Sequence, residues 1–257
     1  MKYTQGKFLI TKKQTIAKGI FDLTILCPDV AKIAKCGQFV HIKADGFSLR
    51  RPISICSIDK ENGTLRIVFE VRGEGTEMLS RLNEGENIDM IAPLGDGVFK
   101  LLEGDKKAVC IGGGIGVPPM LSIAQYYGNR STAICGFRTA SLAILQDDFK
   151  QANANTILCT DDGTAGKKGF VTDALIECIA NEKPDIIYAC GPHAMLRGIV
   201  NIANENNIEC QVSLEERMGC GVGACLVCAC RAIKGGNEFM AHVCKDGPVF
   251  DSKEVVL

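Results

Sequence analysis

Cys220, Cys225, Cys228 and Cys244 are spaced C-x4-C-x2-C with a fourth thiol after fifteen intervening residues, inside GCGVGACLVCACRAIKGGNEFMAHVC. This is the plant-type arrangement for a 2Fe-2S centre, in which three thiolates come from one loop and the last from further along. Gly219, Gly221 and Gly223 interleave with the first ligands. Glycine can take φ > 0, so backbone N–H groups there can turn inward around sulfide and thiolate charge. The competing reading is a structural zinc site on Cys225 and Cys228. Zinc ribbons pair two such knuckles, however, and Cys244 has no mate. Cys230 falls outside the spacing and reads as a buried spare. His41, His193 and His242 are too dispersed to form a second metal site.

Two glycine-rich turns carry a different chemistry. CIGGGIGVPPM follows an apolar run and opens a helix with prolines, so a phosphate could approach the helix N-terminus. It is not G-x-G-x-x-G, because Val117 holds the last glycine's place. The next strand also ends in Gly136-Phe137-Arg138 without the ribose-binding acid. The second turn, ACGPHAM, ends a later strand of the same predicted sheet. Ligands of such sheets bind outside the carboxyl ends of the strands, so both turns can line one crevice. Earlier, RRPISICS places Arg51 beside a proline and Ser54, with RGEGT some twenty residues on. An arginine and glycine N–H groups can hold a pyrophosphate, and a serine can bond a ring nitrogen. A plain strand and turn explains the same residues equally well.

The elements that must position these groups fall into two rhythms. Up to about residue 100, KGIFDLTIL, GQFVHIKA, RRPISICSI, TLRIVFEVR and ENIDMIAPLG read as short strands, with a helical turn or two in GTEMLSRLNEG. Regular turn signals there predict an antiparallel barrel or sandwich. From about 105, five apolar strands (KKAVCIGGG, STAICGF, NTILCTDDG, DIIYACGP, IECQVSLEE) alternate with helices. The helices are VPPMLSIAQYYG, SLAILQDDFKQA, GFVTDALIECIANE and HAMLRGIVNIANENN, and the alternation predicts a doubly wound parallel sheet. Some forty residues follow Glu215, too few for an independent core. The predicted architecture is a β-barrel over 1–100, an α/β domain over 101–214 and a small cluster subdomain over 215–257. The other nine cysteines are scattered singly and read as small buried hydrophobes.

R-P-x-S, G-x-G-T, G-G-G-x-G-x-x-P and C-G-P-x-x-M occur in that order over essentially the whole chain. This order resembles the ferredoxin–NADP reductase superfamily, whose barrel binds FAD and whose parallel-sheet domain binds NAD(P)H. SLEERMGCGVGACLVCAC with its late cysteine resembles, within that superfamily, the electron-transfer subunits of two-subunit, NAD-linked dihydroorotate dehydrogenases of bacterial pyrimidine synthesis. The resemblance implies FAD contacts from Arg51, Pro52, Ile53, Ser54, Val68, Phe69 and Glu70, with Gly75 and Thr76 at the pyrophosphate. It implies cluster ligation by Cys220, Cys225, Cys228 and Cys244. It implies an NAD site lined by Gly113, Gly114, Gly116, Cys190, Gly191 and Pro192, and it allows Glu215 to approach the flavin. It further implies a partner catalytic subunit carrying FMN, in a heterotetramer of two copies of each, with electrons passing through the cluster and FAD to NAD+. No side chain is then needed as a general acid or base toward dihydroorotate.

Composition agrees. The chain is 257 residues long, 46% hydrophobic and 23% charged, the proportions of an ordinary globular protein. A net charge of -1 gives no footprint for nucleic acid or anionic lipid. No apolar run approaches a membrane span, and MKYTQGKFLITKKQT lacks a secretory signal's layout, which points to the cytoplasm. Two other classes stay open: a relay subunit of a hydrogenase- or transhydrogenase-type complex, and a redox sensor. A sensor would not need both an FAD barrel and a nucleotide domain. Arg138 could meet a 2'-phosphate and favour NADP. Leu226, Val227, Phe239 and Met240 beside the ligands either dock a partner or shield the cluster.

Overall fold

The computed structural model describes residues 3–257; residues 1–2, the start of the expected barrel, lie outside the described residues. The first ninety residues build β1 (Thr4–Ala17), β2 (Ile20–Leu26), α1 (Pro28–Ile33), β3 (Phe39–Lys43), β4 (Arg50–Asp59), β5 (Thr64–Glu70), α2 (Glu74–Ser80) and β6 (Asn87–Leu94). The six strands close into an antiparallel barrel in the order β1-β2-β5-β4-β3-β6. Alternation explains the closure: Leu23 and Ile25 of β2 and Leu65 and Ile67 of β5 all face the filled interior. β1 and α1 were not legible in the sequence. β1 turns mostly polar side chains to solvent and buries only Ile10 fully, so it lacks the apolar signature of a strand.

The chain then forms β7 (Ala108–Gly113), α3 (Pro118–Tyr127), β8 (Ser131–Phe137), α4 (Gln146–Gln151), β9 (Asn155–Thr160), the two-residue β10 (Lys167–Lys168), α5 (Val171–Asn181), β11 (Ile186–Cys190), α6 (His193–Glu205) and β12 (Glu209–Ser213). The five expected strands are parallel neighbours in the order β9-β8-β7-β11-β12. Every residue of β7 and β11 is buried, as a parallel strand covered on both faces requires. α6 shows why it packs: Leu196, Ile199, Val200 and Ala203 recur at helical spacing on one face. The expected helix SLAILQDDFKQA shrinks to α4 after a short 3-10 turn, because Leu145 takes a left-handed φ of 63° and resets the chain.

The last segment contributes a hairpin, β13 (Ala229–Lys234) and β14 (Asn237–His242), and β15 (Val249–Asp251). β15 does not stay with the hairpin; it pairs antiparallel with β12 and becomes the edge of the large sheet. As expected from its size, this segment has no core of its own. Cys228, Cys230, Ala232, Ala241, Val243, Cys244, Phe250 and Val255 join the apolar layer of α5, α6 and the sheet face beneath them. Phe39 and Leu94 of the barrel belong to the same layer. Of the nine scattered cysteines seven are buried, while Cys36 and Cys178 are half-buried. No helix among the described residues is long and apolar enough to cross a membrane.

Candidate iron–sulfur, flavin and nucleotide sites

Between β12 and β13 the backbone is irregular, and it curls around four thiols. Val222 and Ala224 donate N–H groups to Cys220 Sγ at 3.4 and 3.1 Å, and Gly223 donates to Cys244 Sγ at 3.1 Å. Cys220 donates to Cys225 Sγ at 3.3 Å, and Cys244 donates to Cys228 Sγ at 3.4 Å. These last two backbone bonds link the thiols in two pairs, Cys220 with Cys225 and Cys228 with Cys244. Two thiolates for each of two irons, wrapped in inward N–H dipoles, is the donor set that fits a 2Fe-2S centre.

The electrostatics divide the four. Burial opposes ionisation of Cys220, but the N–H groups of Val222 and Ala224 and the contact with Cys225 outweigh it and bring the thiol down to about 7. Burial pushes Cys244 up to about 12, reinforced by Cys228. Cys225 is exposed, whereas Cys228 and Cys244 are buried. The glycines serve in two ways. Gly221 and Gly223 have φ of 74° and 80°, as expected. Gly219 instead permits close approach: a Cβ there would lie 3.0 Å from Cys225 Sγ. Cys230 is buried, and its thiol, pushed up to about 11 first by burial and then by Glu216, makes no hydrogen bond to the other four.

The expected flavin residues lie where the barrel wall parts. β4 pairs with β5 only from Ile55 to Asp59, so Arg51–Ser54 are paired to β3 alone. On the other side Val68, Phe69 and Glu70 are paired to β2 alone. The gap leaves Arg51, Pro52, Ile53 and Ser54 half-buried along one lip and Glu70 half-buried on the other, with Val68 and Phe69 buried. α3 packs on β4, and the turn Gly114–Gly116 lies against β5, so the gap opens toward the parallel-sheet domain. Gly75 is needed for packing: a Cβ would sit 2.2 Å from the Arg51 guanidinium. Thr76 is occupied locally, its Oγ1 accepting N–H groups of Arg72 and Gly73 and donating to the Gly73 carbonyl. Glu215 is exposed and sits 3.6 Å from Arg72, which also bonds Glu70 at 2.8 Å.

The two glycine turns meet at the switch point of the sheet, where β7 and β11 run side by side with Cys190 opposite Gly112. In an open α/β sheet this is the place for a ligand. A Cβ on Gly116 would strike the Cys190 carbonyl at 2.3 Å, and one on Gly113 would strike Met195 Sδ at 2.5 Å. Gly114, with φ of 55°, faces open space. Pro192 precedes α6, and Gly191 packs on Met195. Burial pushes the Cys190 thiol up to about 12, with Glu215 adding to the effect. Gly113, Gly114, Gly116, Cys190, Gly191 and Pro192 thus form one cradle. Met195 belongs to it too; the methionine of C-G-P-x-x-M was its signal in the sequence. His41 was also missed. It is fully buried against Gly221 of the ligand loop, and no sequence pattern marks it.

Residues 110–201 match the family model of an oxidoreductase NAD-binding domain, and residues 215–256 match the iron–sulfur cluster binding domain of dihydroorotate dehydrogenase B. Fold and sites together define an electron-transferring oxidoreductase of the ferredoxin-reductase type, built for FAD, NAD and a 2Fe-2S cluster. The chain is 40% identical over 266 residues to the "Dihydroorotate dehydrogenase B (NAD(+)), electron transfer subunit" of Bacillus mycoides, with both chains fully covered. It is equally similar, over 267 residues, to the protein of that name from Bacillus cereus. The chain belongs to the family of dihydroorotate dehydrogenase B (NAD(+)) electron transfer subunits. Among solved structures it resembles an NADH-dependent reduced ferredoxin-NADP oxidoreductase, with a TM-score of 0.84 and 33% identity, covering 98% of this chain and 90% of that one. The cytochrome P450 reductase GcoB of Amycolatopsis shares the fold at a TM-score of 0.68 and 21% identity, covering 80% of this chain and 67% of that one.

Proposed function

We propose that this chain passes electrons between an FMN-containing dihydroorotate dehydrogenase catalytic subunit and NAD+ in cytoplasmic pyrimidine synthesis, as part of a heterotetramer with two copies of each subunit. The observation that carries the reading is the set of backbone N–H bonds that gathers Cys220, Cys225, Cys228 and Cys244 around one loop. A cluster, a flavin and a nicotinamide supply the redox chemistry when bound, and the protein supplies binding, orientation and electrostatics. Cys220, Cys225, Cys228 and Cys244 hold the cluster. Arg51, Pro52, Ile53, Ser54, Val68, Phe69 and Glu70 hold the flavin in the barrel gap, with the Gly75–Thr76 turn at its pyrophosphate. Gly113, Gly114, Gly116, Cys190, Gly191 and Pro192 hold the nicotinamide nucleotide. The work divides over residues 1–100 for FAD, 101–214 for NAD and 215–257 for the cluster, with β15 returned to the middle unit.

Leu226, Val227, Phe239 and Met240 are all exposed on the segment that carries the ligands. They offer the docking face for the catalytic subunit. The test is to co-purify the tagged chain with that subunit under anaerobic conditions and assay dihydroorotate-dependent NAD+ reduction. Leu226→Asp is expected to release the partner on a sizing column while iron stays bound. A second reading, a relay in another complex, draws on the likeness to the NADH-dependent reduced ferredoxin-NADP oxidoreductase. Co-purification of a different flavoprotein without dihydroorotate activity would favour it.

A further inference from the structure

Buried side-chain nitrogens without a hydrogen bond occur, among the described residues, at Lys167 and at both ring positions of His41. Lys167 is at least paired in charge with Glu177 at 2.5 Å. His41 is fully buried, and two unmet nitrogens in one buried ring require an explanation. The ring belongs to β3, where His41 stands opposite Pro52 of the flavin-binding stretch of β4. Its Nδ1 edge faces the cluster loop: a Cβ on Gly221 would lie 2.4 Å from Nδ1 and 3.1 Å from Cε1. Gly221 lies between the ligand Cys220 and Val222, whose N–H already points at Cys220 Sγ. The carbonyls of Arg50 and Cys220 approach the ring without closing a hydrogen bond to it.

We infer that His41 donates a ring N–H to the sulfur shell of the cluster on its Cys220 side, and so fastens the first ligand loop to β3, the barrel strand paired with the flavin-binding stretch of β4. The inference rests on the iron–sulfur reading of the four cysteines. An imidazole, neutral or protonated, keeps at least one N–H to give. Thiolate and sulfide are the anionic acceptors the loop is built to hold, and their hydrogen bonds set a cluster's reduction potential. His41 is therefore a positioning residue: it acts on the electron path through the cluster and touches neither the dihydroorotate nor the nucleotide.

The test uses the intact cluster-loaded protein labelled with 15N-histidine, reduced and examined by pulsed EPR. A histidine hyperfine coupling is expected in the wild type and in His242→Gln, which removes the histidine nearest Cys244. The coupling should vanish in His41→Leu, with the midpoint potential moving negative, and His41→Gln, which keeps a donor, should move it less. An iron-loaded wild type without the coupling would overturn the inference, and so would a coupling that survives in His41→Leu. If His41→Leu does not load iron, a labelled His193→Gln/His242→Gln variant decides alone, since it leaves His41 as the chain's one histidine and must keep the coupling. A wild type that binds no iron would overturn the cluster reading itself, and this inference with it.

Discussion

Arg66 of β5 reaches across the domain boundary to Asp148 of α4 while its Nε and second terminal nitrogen hold Asp22 of β2 at 2.6–3.1 Å. Burial alone would weaken the guanidinium's charge, yet the two carboxylates keep its pKa above the usual arginine value. Asp22 is nearly inaccessible, with a side chain 5% exposed, and Arg66 is its ion-pair partner there. Arg66→Leu is expected to destabilise the protein by about 3–5 kcal/mol, because it leaves Asp22 buried and unpaired. Asp148→Asn removes only the link between domains and should cost about 1 kcal/mol. Urea denaturation of both variants checks the ordering, and equal losses would refute it.

Serine in place of Cys220, Cys225, Cys228 or Cys244 should each abolish a stable 2Fe-2S centre, since serine supplies no thiolate. Cys230→Ser should retain full iron and acid-labile sulfide, because Cys230 makes no hydrogen bond to the four clustered thiols. Loss of iron in Cys230→Ser would reassign the ligand set.

Two neighbouring glycines should behave differently. Gly116→Ala drives a methyl into the Cys190 carbonyl at 2.3 Å and should destabilise the fold by about 1–3 kcal/mol. Gly114→Ala meets nothing within 4 Å and should cost only about 1 kcal/mol for its positive φ. Gly114 belongs to the proposed nucleotide cradle, so NADH affinity should fall more in Gly114→Ala than stability does. Calorimetric titration beside a thermal melt separates the two effects.

Stability should fall in alkali. Burial raises Cys27 to about 11 and Cys135, Cys190 and Cys210 to about 12, from an ordinary value of 9.0. The folded state therefore holds these protons more tightly than the unfolded state. The stabilisation is fully present below pH 9 and is lost as pH climbs through 9 toward 12. Urea midpoints recorded across that window should decline steadily, and a flat profile to pH 11 would contradict the burial of these thiols.

Removing iron should loosen the ligand loop without unfolding the protein. The hairpin's apolar side chains share the core of the sheet domain, so they keep their packing when the cluster is gone. Hydrogen exchange after chelation should speed up over residues 219–228 and stay slow in β7 and β11. Global unfolding on chelation would contradict the shared core.

What the sequence disclosed depended on how far each interaction reaches along the chain. The cluster ligands were legible because four thiols at fixed spacing have few other uses, and the two glycine turns because each follows an apolar strand. β1 was not, since thirteen of its fourteen residues are at least partly exposed and its pairing with β2 and β6 is a property of the closed barrel. β15 was hidden for a similar reason: Val249–Asp251 is too short to announce a strand, and its partner lies some forty residues earlier. His41 was passed over because its neighbour Gly221 is 180 positions away, a proximity that only the docking of the ligand loop on the barrel creates. Leu145 shortened a predicted helix by a single backbone angle that no periodicity encodes.

The return of the chain from Cys244 to the sheet has a consequence for biosynthesis. Phe250 pairs with Val212 on the sheet and Val255 bridges to Ala232 on the hairpin, so the final stretch laces the two together. A ribosome that stalled just after Cys244 would release a polypeptide with every thiol in place but an unlaced sheet edge beside β12. Such a product could scavenge iron without assuming its finished shape, and its bare edge would invite strand addition from other chains. Covering the β12 edge is thus a task of β15 that the cluster ligands do not perform.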